Sequence, residues 1–121
     1  MENKIIKLTP EINTESGFTT IYLDRDFSFD NFFIVEEALR KIARFEIKWL
    51  FLSKLTAFAE TFDNTFFINR KFNYKGSKLV LYYDAPLLYI EPIAQQNASK
   101  EDNQNVIDVS NLLIQKIISN K

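Results

Sequence analysis

Five carboxylates in one short segment come closest to a chemical site. Asp24, Asp26 and Asp30 lie in the stretch LDRDFSFD, and Glu36 and Glu37 follow shortly after it. Oxygen ligands at alternate positions resemble part of a calcium loop, but the segment lacks the central glycine and the closing glutamate. Hydrolysis by paired carboxylates requires two acids facing each other across a cleft, and the sequence singles out no such pair. It therefore predicts no metal site and no catalytic residues.

Two interpretations of this acidic segment remain. The first is a solvated loop whose side chains cap the helix that follows. The second is an acidic surface that meets a basic protein partner, since charge complementarity accelerates association and selects partners. Inhibitors of nuclease-type toxins are often small, acidic, single-domain proteins, and this analogy rests on size and composition alone. Under the second interpretation the partner-binding residues are Asp24, Asp26, Asp30, Phe33, Glu36 and Glu37.

Phe33 is included because it projects into the polar side of the helix predicted after this loop. It either packs under the loop, against Phe27 or Phe29, or serves as an exposed anchor for a partner. The same helix carries two acid-first pairs at i,i+4 spacing, Glu36 with Arg40 and Glu37 with Lys41. Such pairs are typical of a solvent-exposed helix surface.

The residue types that are missing exclude several chemistries. The chain has no histidine and no cysteine, which removes His-dependent nucleophile systems and His or Cys zinc sites. Its only glycines are Gly17 and Gly76, so neither a Walker A loop nor a Rossmann turn can be built. We predict a protein that is not an enzyme and needs no cofactor. The enzymatic alternative uses carboxylates, Lys, Tyr or Ser, and requires a pocket holding two carboxylates with perturbed pKa values.

Length and composition are typical of a small globular protein. A chain of 121 residues predicts one domain, residues 1–121. Twelve Phe, five Tyr and one Trp supply a substantial core. With no cysteine and no signal-like N-terminus, we expect a cytoplasmic protein, and the heavy use of Ile, Asn, Lys and Phe suggests a bacterial one. No apolar run is long enough to cross a membrane.

Charge is distributed unevenly along a chain whose net charge is −1. Residues 1–46 carry nine acidic and six basic side chains, whereas residues 47–91 carry four acidic and six basic ones. The overall charge predicts no general attraction to nucleic acid.

The stretch TFFINRKFNYKG combines aromatic and basic residues, as nucleic-acid-binding sheets do. Its glycines do not match the RNP1 pattern. In a strand, Phe72 and Tyr74 lie on the face opposite Lys71, and only Phe67 shares the face of that lysine. We therefore consider nucleic-acid binding unlikely. Arg70 interrupts the aromatic face, and we expect it to have an internal carboxylate partner or an interface contact.

Periodicity predicts eight elements. In the first half we expect strands at 4–8 and 17–23 joined by a loop at 9–16, a helix at 30–44 and a strand at 46–52. In the second half we expect strands at 65–74, 78–83 and 87–90, an exposed polar connection or a frayed helix start at 94–105 and a helix at 106–118. Residues 53–62 fit either a helical stripe or a continued strand, and we favour the strand.

This order, roughly ββ-α-ββββ-α, predicts an α+β fold with a mainly antiparallel sheet of five to six strands and two helices on one face. The second face of the sheet is then partly polar or used for binding. The last helix is unusually apolar, so it is either wedged between elements or covered by another chain, with Ile114 and Ile118 as possible interface residues.

The leading functional hypothesis is a small protein-binding module, most concretely a bacterial immunity-type inhibitor that neutralises a partner toxin. The alternative is a non-catalytic α+β scaffold or small-ligand-binding domain that acts as a homodimer. We expect no membrane association.

Overall fold

The computed structural model describes residues 8–45 and 67–119. These residues form one antiparallel six-stranded sheet and two α-helices, which confirms the predicted α+β class. The strands are β1 (Glu11–Asn13), β2 (Thr20–Asp24), β3 (Arg44–Phe45), β4 (Phe67–Tyr74), β5 (Ser77–Asp84) and β6 (Leu87–Pro92), and the helices are α1 (Phe32–Arg40) and α2 (Lys100–Ser119).

The sheet joins an N-terminal hairpin to a three-stranded meander. Its strand order is β1-β2-β6-β5-β4-β3, so the last strand of the meander pairs with β2. The two-residue turn between β4 and β5 places Lys75 and Gly76 at positive φ, 52° and 87°, as a hairpin turn matched to the twist of its strands requires. Strand alternation directs one face of the sheet toward both helices and the other away from them.

The core lies between this inner face and the helices. It contains Leu23, Leu81 and Ile90 from the sheet, together with Leu39 of α1 and Leu113 of α2, all fully buried. Each buried side chain of this size stabilises the fold by roughly 1.5–3 kcal/mol. Because both helices pack on the same side, the outer face receives no helix from the described part of the chain.

Helix α1 is shorter than predicted at both ends. Ser28 caps the short 3-10 turn Phe29–Asn31 that leads into it, accepting a hydrogen bond from the backbone N–H of Asp30 at 3.3 Å. The helix ends at Arg40 rather than residue 44, because the chain turns so that Phe45 can pair with β4 and stack on Phe72, with 6.0 Å between ring centroids.

Helix α2 starts earlier than the predicted residue 106. Ser99 and Asp102 form a reciprocal capping pair in which each side chain accepts from the backbone N–H of the other, at 3.0 and 3.1 Å. Ser77 donates to Asp102 at 2.7 Å, and buried Asn105 donates to Ser77 at 2.8 Å. The hydrogen bond from Ser77 lowers the pKa of Asp102. Much of the predicted connection at 94–105 is therefore a helical segment fastened to the sheet.

Four other predictions either change at the N-terminal side or cannot be compared with the structure. The predicted loop at 9–16 contains β1, which takes the hairpin position expected for residues 4–8. Apart from Leu8, that predicted strand lies outside the described residues. So do the predictions for 46–52 and 53–62. The assignment of the whole chain to one domain stays a prediction.

Arg70 lies on the inner face of β4 and is completely buried. Its Nε donates to Oε2 of Glu36 on α1 at 2.7 Å, and Nη1 donates to the carbonyl of Asn69 at 2.9 Å. The guanidinium carbon lies 5.7 Å from the centre of the Phe32 ring. The internal carboxylate partner expected for Arg70 is thus Glu36, and the ion pair fixes α1 on the sheet.

We predict that Arg70→Met lowers the free energy of unfolding by about 3–5 kcal/mol, because Glu36 would then be a buried charge without its partner. The double variant Arg70→Met/Glu36→Leu should recover most of that loss. Urea unfolding measures both. Lys71→Met, an exposed change on the same strand, is the control and should alter stability by no more than about 0.5 kcal/mol. Equal losses of unfolding free energy in the single and double variants would show that the unpaired charge of Glu36 is not the cause of the destabilisation.

Candidate functional site

The predicted acidic residues divide between the surface and the interior. Asp26 and Asp30 are exposed, and Asp24 is half-buried. Asp24 accepts hydrogen bonds from the Thr9 hydroxyl at 3.3 Å and from the backbone N–H of Asp26 at 3.1 Å. Among residues 8–45 and 67–119, neither Asp26 nor Asp30 forms an ion pair. The loop between β2 and α1 therefore presents two uncompensated carboxylates.

The backbone of this acidic loop, residues 24–31, is fastened to the sheet through Phe27. The N–H of Phe27 donates to the carbonyl of Pro86 at 2.8 Å, and its carbonyl accepts from the Tyr83 hydroxyl at 3.0 Å. The Phe27 ring is buried against the Tyr83 ring, edge to face at 5.8 Å between centroids. Phe27 thus holds the loop without using the carboxylates of Asp26 and Asp30.

Glu36 corrects the prediction for the acidic surface. It is 1% exposed and bound to Arg70, so it presents no carboxylate to a partner, and its expected pairing with Arg40 is wrong. Arg40 instead pairs with exposed Glu37 at 3.1 Å. Phe33 is half-buried, with its ring edge to face on Phe29 at 6.0 Å. Of its two proposed positions, packing near the loop is the one observed.

Four aromatic side chains cross the outer face of the sheet. Tyr22, Tyr89 and Tyr82 are direct cross-strand neighbours on β2, β6 and β5. Consecutive ring centroids are 5.3 Å apart, and Phe67 on β4 continues the row at 5.5 Å from Tyr82. The three tyrosines are half-buried and Phe67 is 39% exposed. We call these four residues the tyrosine stripe.

One end of the tyrosine stripe holds a cation from the chain itself. The guanidinium carbon of Arg25 lies 4.4 Å from the centre of the Tyr22 ring. Its Nε donates to Oε1 of Glu11 at 2.6 Å, and this hydrogen bond raises the pKa of Arg25. Ring, guanidinium and carboxylate therefore form a three-part contact at the surface.

Carboxylates also border the middle of the stripe. Burial raises the pKa of Tyr89 to about 12, and the negative charges of Glu91 and Asp84 contribute to that rise. The pKa of Tyr82 is raised by the same two effects, burial first and then Glu91. Glu91 is 8% exposed and accepts from Thr20 at 3.4 Å. The centre of the stripe is therefore apolar and has negatively charged side chains near it.

The outer face is basic at the end of the sheet where the turn joins β4 to β5. Arg44, Lys71 and Lys78 surround Asn73 and line a cavity of about 230 Å³. A neighbouring cavity of about 540 Å³ shares Arg44 and Asn73 and adds Lys41 and Lys75. Since β2 and β5 run in the same direction, Asp24 and Asp84 lie together at the other end of the sheet. The two ends of the face therefore differ in charge, and between them Glu91 lies level with Lys71.

The arrangement of the outer face changes one expectation drawn from the sequence, that Phe67 is the ring that shares a face with Lys71. Phe72 and Tyr74 do lie on the face opposite Lys71, as predicted. The tyrosine stripe, however, brings rings from three other segments onto the lysine's own face. The sequence carried a partial signal, because Tyr22 alternates with buried Ile21 and Leu23. The alignment of Tyr22 with Tyr89 and Tyr82 depends on strand register, which the sequence analysis did not predict.

The possible interface residues on α2 differ in exposure. Ile114 is half-buried against the core, whereas Ile118 is 60% exposed and Leu112 is 41% exposed. Helix α2 contacts α1 and strands β2, β5 and β6. It is wedged between elements along part of its surface and apolar toward solvent at these two positions.

Among the described residues, no group of three or more potential ligands is placed to hold a metal ion. None of the helices in residues 8–45 and 67–119 has the length and apolarity needed to cross a membrane. Comparison with protein families, with curated proteins and with solved structures finds no match to this chain. The chemistry of the surface therefore carries the functional argument.

We predict that stability falls between about pH 10 and about pH 12, in part because of Tyr89. An unfolded tyrosine ionises near pH 10, whereas folded Tyr89 keeps its proton to about pH 12. In this window the unfolded chain binds fewer protons, so rising pH favours it. Tyr89→Phe should reduce this fall without abolishing it, since the pKa values of Tyr82 and Tyr83 are also raised. Urea unfolding at several pH values measures the slope, and an unchanged slope in the variant would contradict the assignment.

Proposed function

We propose that this chain is a small protein-binding module, most concretely a bacterial immunity-type inhibitor that binds a basic toxin domain in the cytoplasm and neutralises it. The observation that carries the proposal is the acidic loop, where Asp26 and Asp30 are exposed and form no ion pair within the described residues. A basic partner would gain charge complementarity there without displacing an existing contact.

The way the loop is held supports the same proposal. Its backbone is anchored by Phe27 on Pro86 and Tyr83. A binding loop that is ordered before association loses less conformational entropy when the partner arrives. Asp84, exposed at the same end of the sheet, adds a further carboxylate beside the loop. The proposal assigns the protein no catalytic role and no cofactor.

The test uses the product of the neighbouring gene as partner. Size-exclusion chromatography with light scattering should detect a one-to-one complex, and Asp26→Lys/Asp30→Lys should weaken it strongly. Reversal of exposed rim charges acts mainly on the association rate and its salt dependence, so surface plasmon resonance at two salt concentrations is the quantitative readout. Glu15→Lys, a charge reversal in the turn at the other end of β2, is the control. Unchanged binding by the double variant would contradict the role of the acidic loop.

The second candidate is a non-catalytic scaffold or small-ligand-binding domain that acts as a homodimer through α2. Its support is the exposure of Ile118 on that helix, since large apolar side chains at a surface are typical of interaction sites. Ile114 lies one turn before Ile118 on the same side of the helix and would extend the contact.

For this candidate we predict a mass that depends on concentration in sedimentation equilibrium. Ile118→Asp should convert the dimer to a monomer, because a carboxylate would be buried without a partner at the interface. Glu101→Gln, an exposed change in the first turn of α2, is the control and should leave the mass unchanged. A wild-type protein that is monomeric at millimolar concentration would exclude the homodimer.

A further inference from the structure

The contact of Arg25 with Tyr22 and Glu11 shows which group the tyrosine stripe can hold. The guanidinium lies over the ring at 4.4 Å and donates to the carboxylate at 2.6 Å. A planar guanidinium can stack on an aromatic face and hydrogen-bond a carboxylate at the same time. A lysine ammonium is a compact, strongly hydrated charge that does not stack in this way.

The same pairing of ring and carboxylate recurs along the stripe without a cation from the described residues. Tyr89 and Tyr82 are adjacent, and exposed Asp84 lies two residues from Tyr82 on the same face of β5. Glu91 also lies near the rings, but it is buried and its two oxygens already accept hydrogen bonds from Thr20 and Gln95. Within residues 8–45 and 67–119, no cation is stacked on Tyr82 or Tyr89. The two rings beside Asp84 thus have the composition of the Arg25 contact but receive no guanidinium from the described residues.

We propose that Tyr82 and Tyr89 form a docking surface for arginine side chains of the basic protein partner. The inference rests on the proposed function and specifies its contact chemistry, with the guanidinium groups lying over the two rings and facing Asp84. The stripe then supplies the apolar centre of the interface, and the acidic loop supplies its charged rim. Tyrosine and arginine are both enriched where protein interfaces concentrate their binding energy.

The charges of the face favour this occupant over a single-stranded nucleic acid. Bases can stack on tyrosine rings, and Lys71 and Lys78 share the outer face. Yet exposed Asp84 lies on one side of the rings, where it would repel the phosphates of a strand laid over them, and on the other side Lys71 lies level with Glu91, which offsets its charge. The basic groove around Asn73 begins at Lys71, where it disfavours a second cationic segment and so sets the direction of the partner.

The experiment uses fluorescein-labelled peptides and the full chain. One peptide carries two arginines flanked by glycines and serines, and the second carries two lysines at the same positions. Fluorescence anisotropy should show tighter binding of the arginine peptide. A cation–π contact at an exposed site is worth about 0.5–1 kcal/mol. Since lysine can make part of such a contact, we expect a preference of at most about fivefold for each ring engaged.

Matched variants separate the rings from their surroundings. Tyr82→Leu and Tyr89→Leu keep apolar cover on the sheet but remove the aromatic face, and should abolish the preference for arginine. Tyr82→Phe and Tyr89→Phe keep the ring and should retain it. Urea unfolding identifies the variants that fold. If either leucine variant does not fold, Asp84→Asn is measured instead, and it should weaken arginine-peptide binding.

Several results would overturn the inference: no detectable binding of the arginine peptide, equal affinity for both peptides, or an arginine preference that survives both leucine substitutions. Tighter binding of a labelled fifteen-nucleotide oligothymidine, lost in the same variants, would assign the stripe to nucleic acid instead. The inference and the proposed function fail separately. A toxin complex that Asp26→Lys/Asp30→Lys weakens but the leucine variants do not would retain the function and remove the stripe from it. An arginine preference without any toxin complex would retain the stripe as an arginine-binding surface and contradict the proposed function.

Discussion

The buried ion pair between Arg70 and Glu36 is the constraint on which the arrangement of the other elements depends. Two charges in an apolar interior tolerate only geometries in which they meet, because either one alone would lose its hydration without compensation. Arg70 is fixed by the register of β4, so its partner fixes α1 along and around its axis. The position of α1 in turn fixes where the acidic loop, which leads into it, must end.

Local patterns in the sequence predicted the fold class but not the surface. The meander from β4 to β6 follows from alternation and the Lys75-Gly76 turn, and the apolar stripe of α1 follows from helical spacing. The same spacing gave a wrong pairing for Glu36. An acidic residue four positions before a basic one predicts a surface pair, but Glu36 binds a cation that is distant in sequence. Arg70 was recognisable as that cation only by its misfit on an apolar face.

Long-range register accounts for most of what the sequence analysis missed. Tyr22, Tyr82 and Tyr89 belong to three strands, and whether their rings meet depends on a one-residue alignment that reverses every side chain if it slips. The polar segment before residue 106 was missed for a different reason. Its capping signal, Ser99 with Asp102, is local and can be recognised in the sequence, but the absence of large apolar residues favoured an exposed connection. There the helix is held by hydrogen bonds to Ser77 rather than by hydrophobic burial.

The attachment of the acidic loop separates two properties that are usually linked, the shape of a binding loop and the identity of its side chains. The loop keeps its conformation through Phe27, whose amide, carbonyl and ring all bind the sheet. Exposed positions such as Asp26 and Asp30 contribute little to stability, since surface substitutions are usually within about 0.5 kcal/mol. Under the proposed function, exchange of these side chains would redirect recognition toward a different target while the scaffold remains folded.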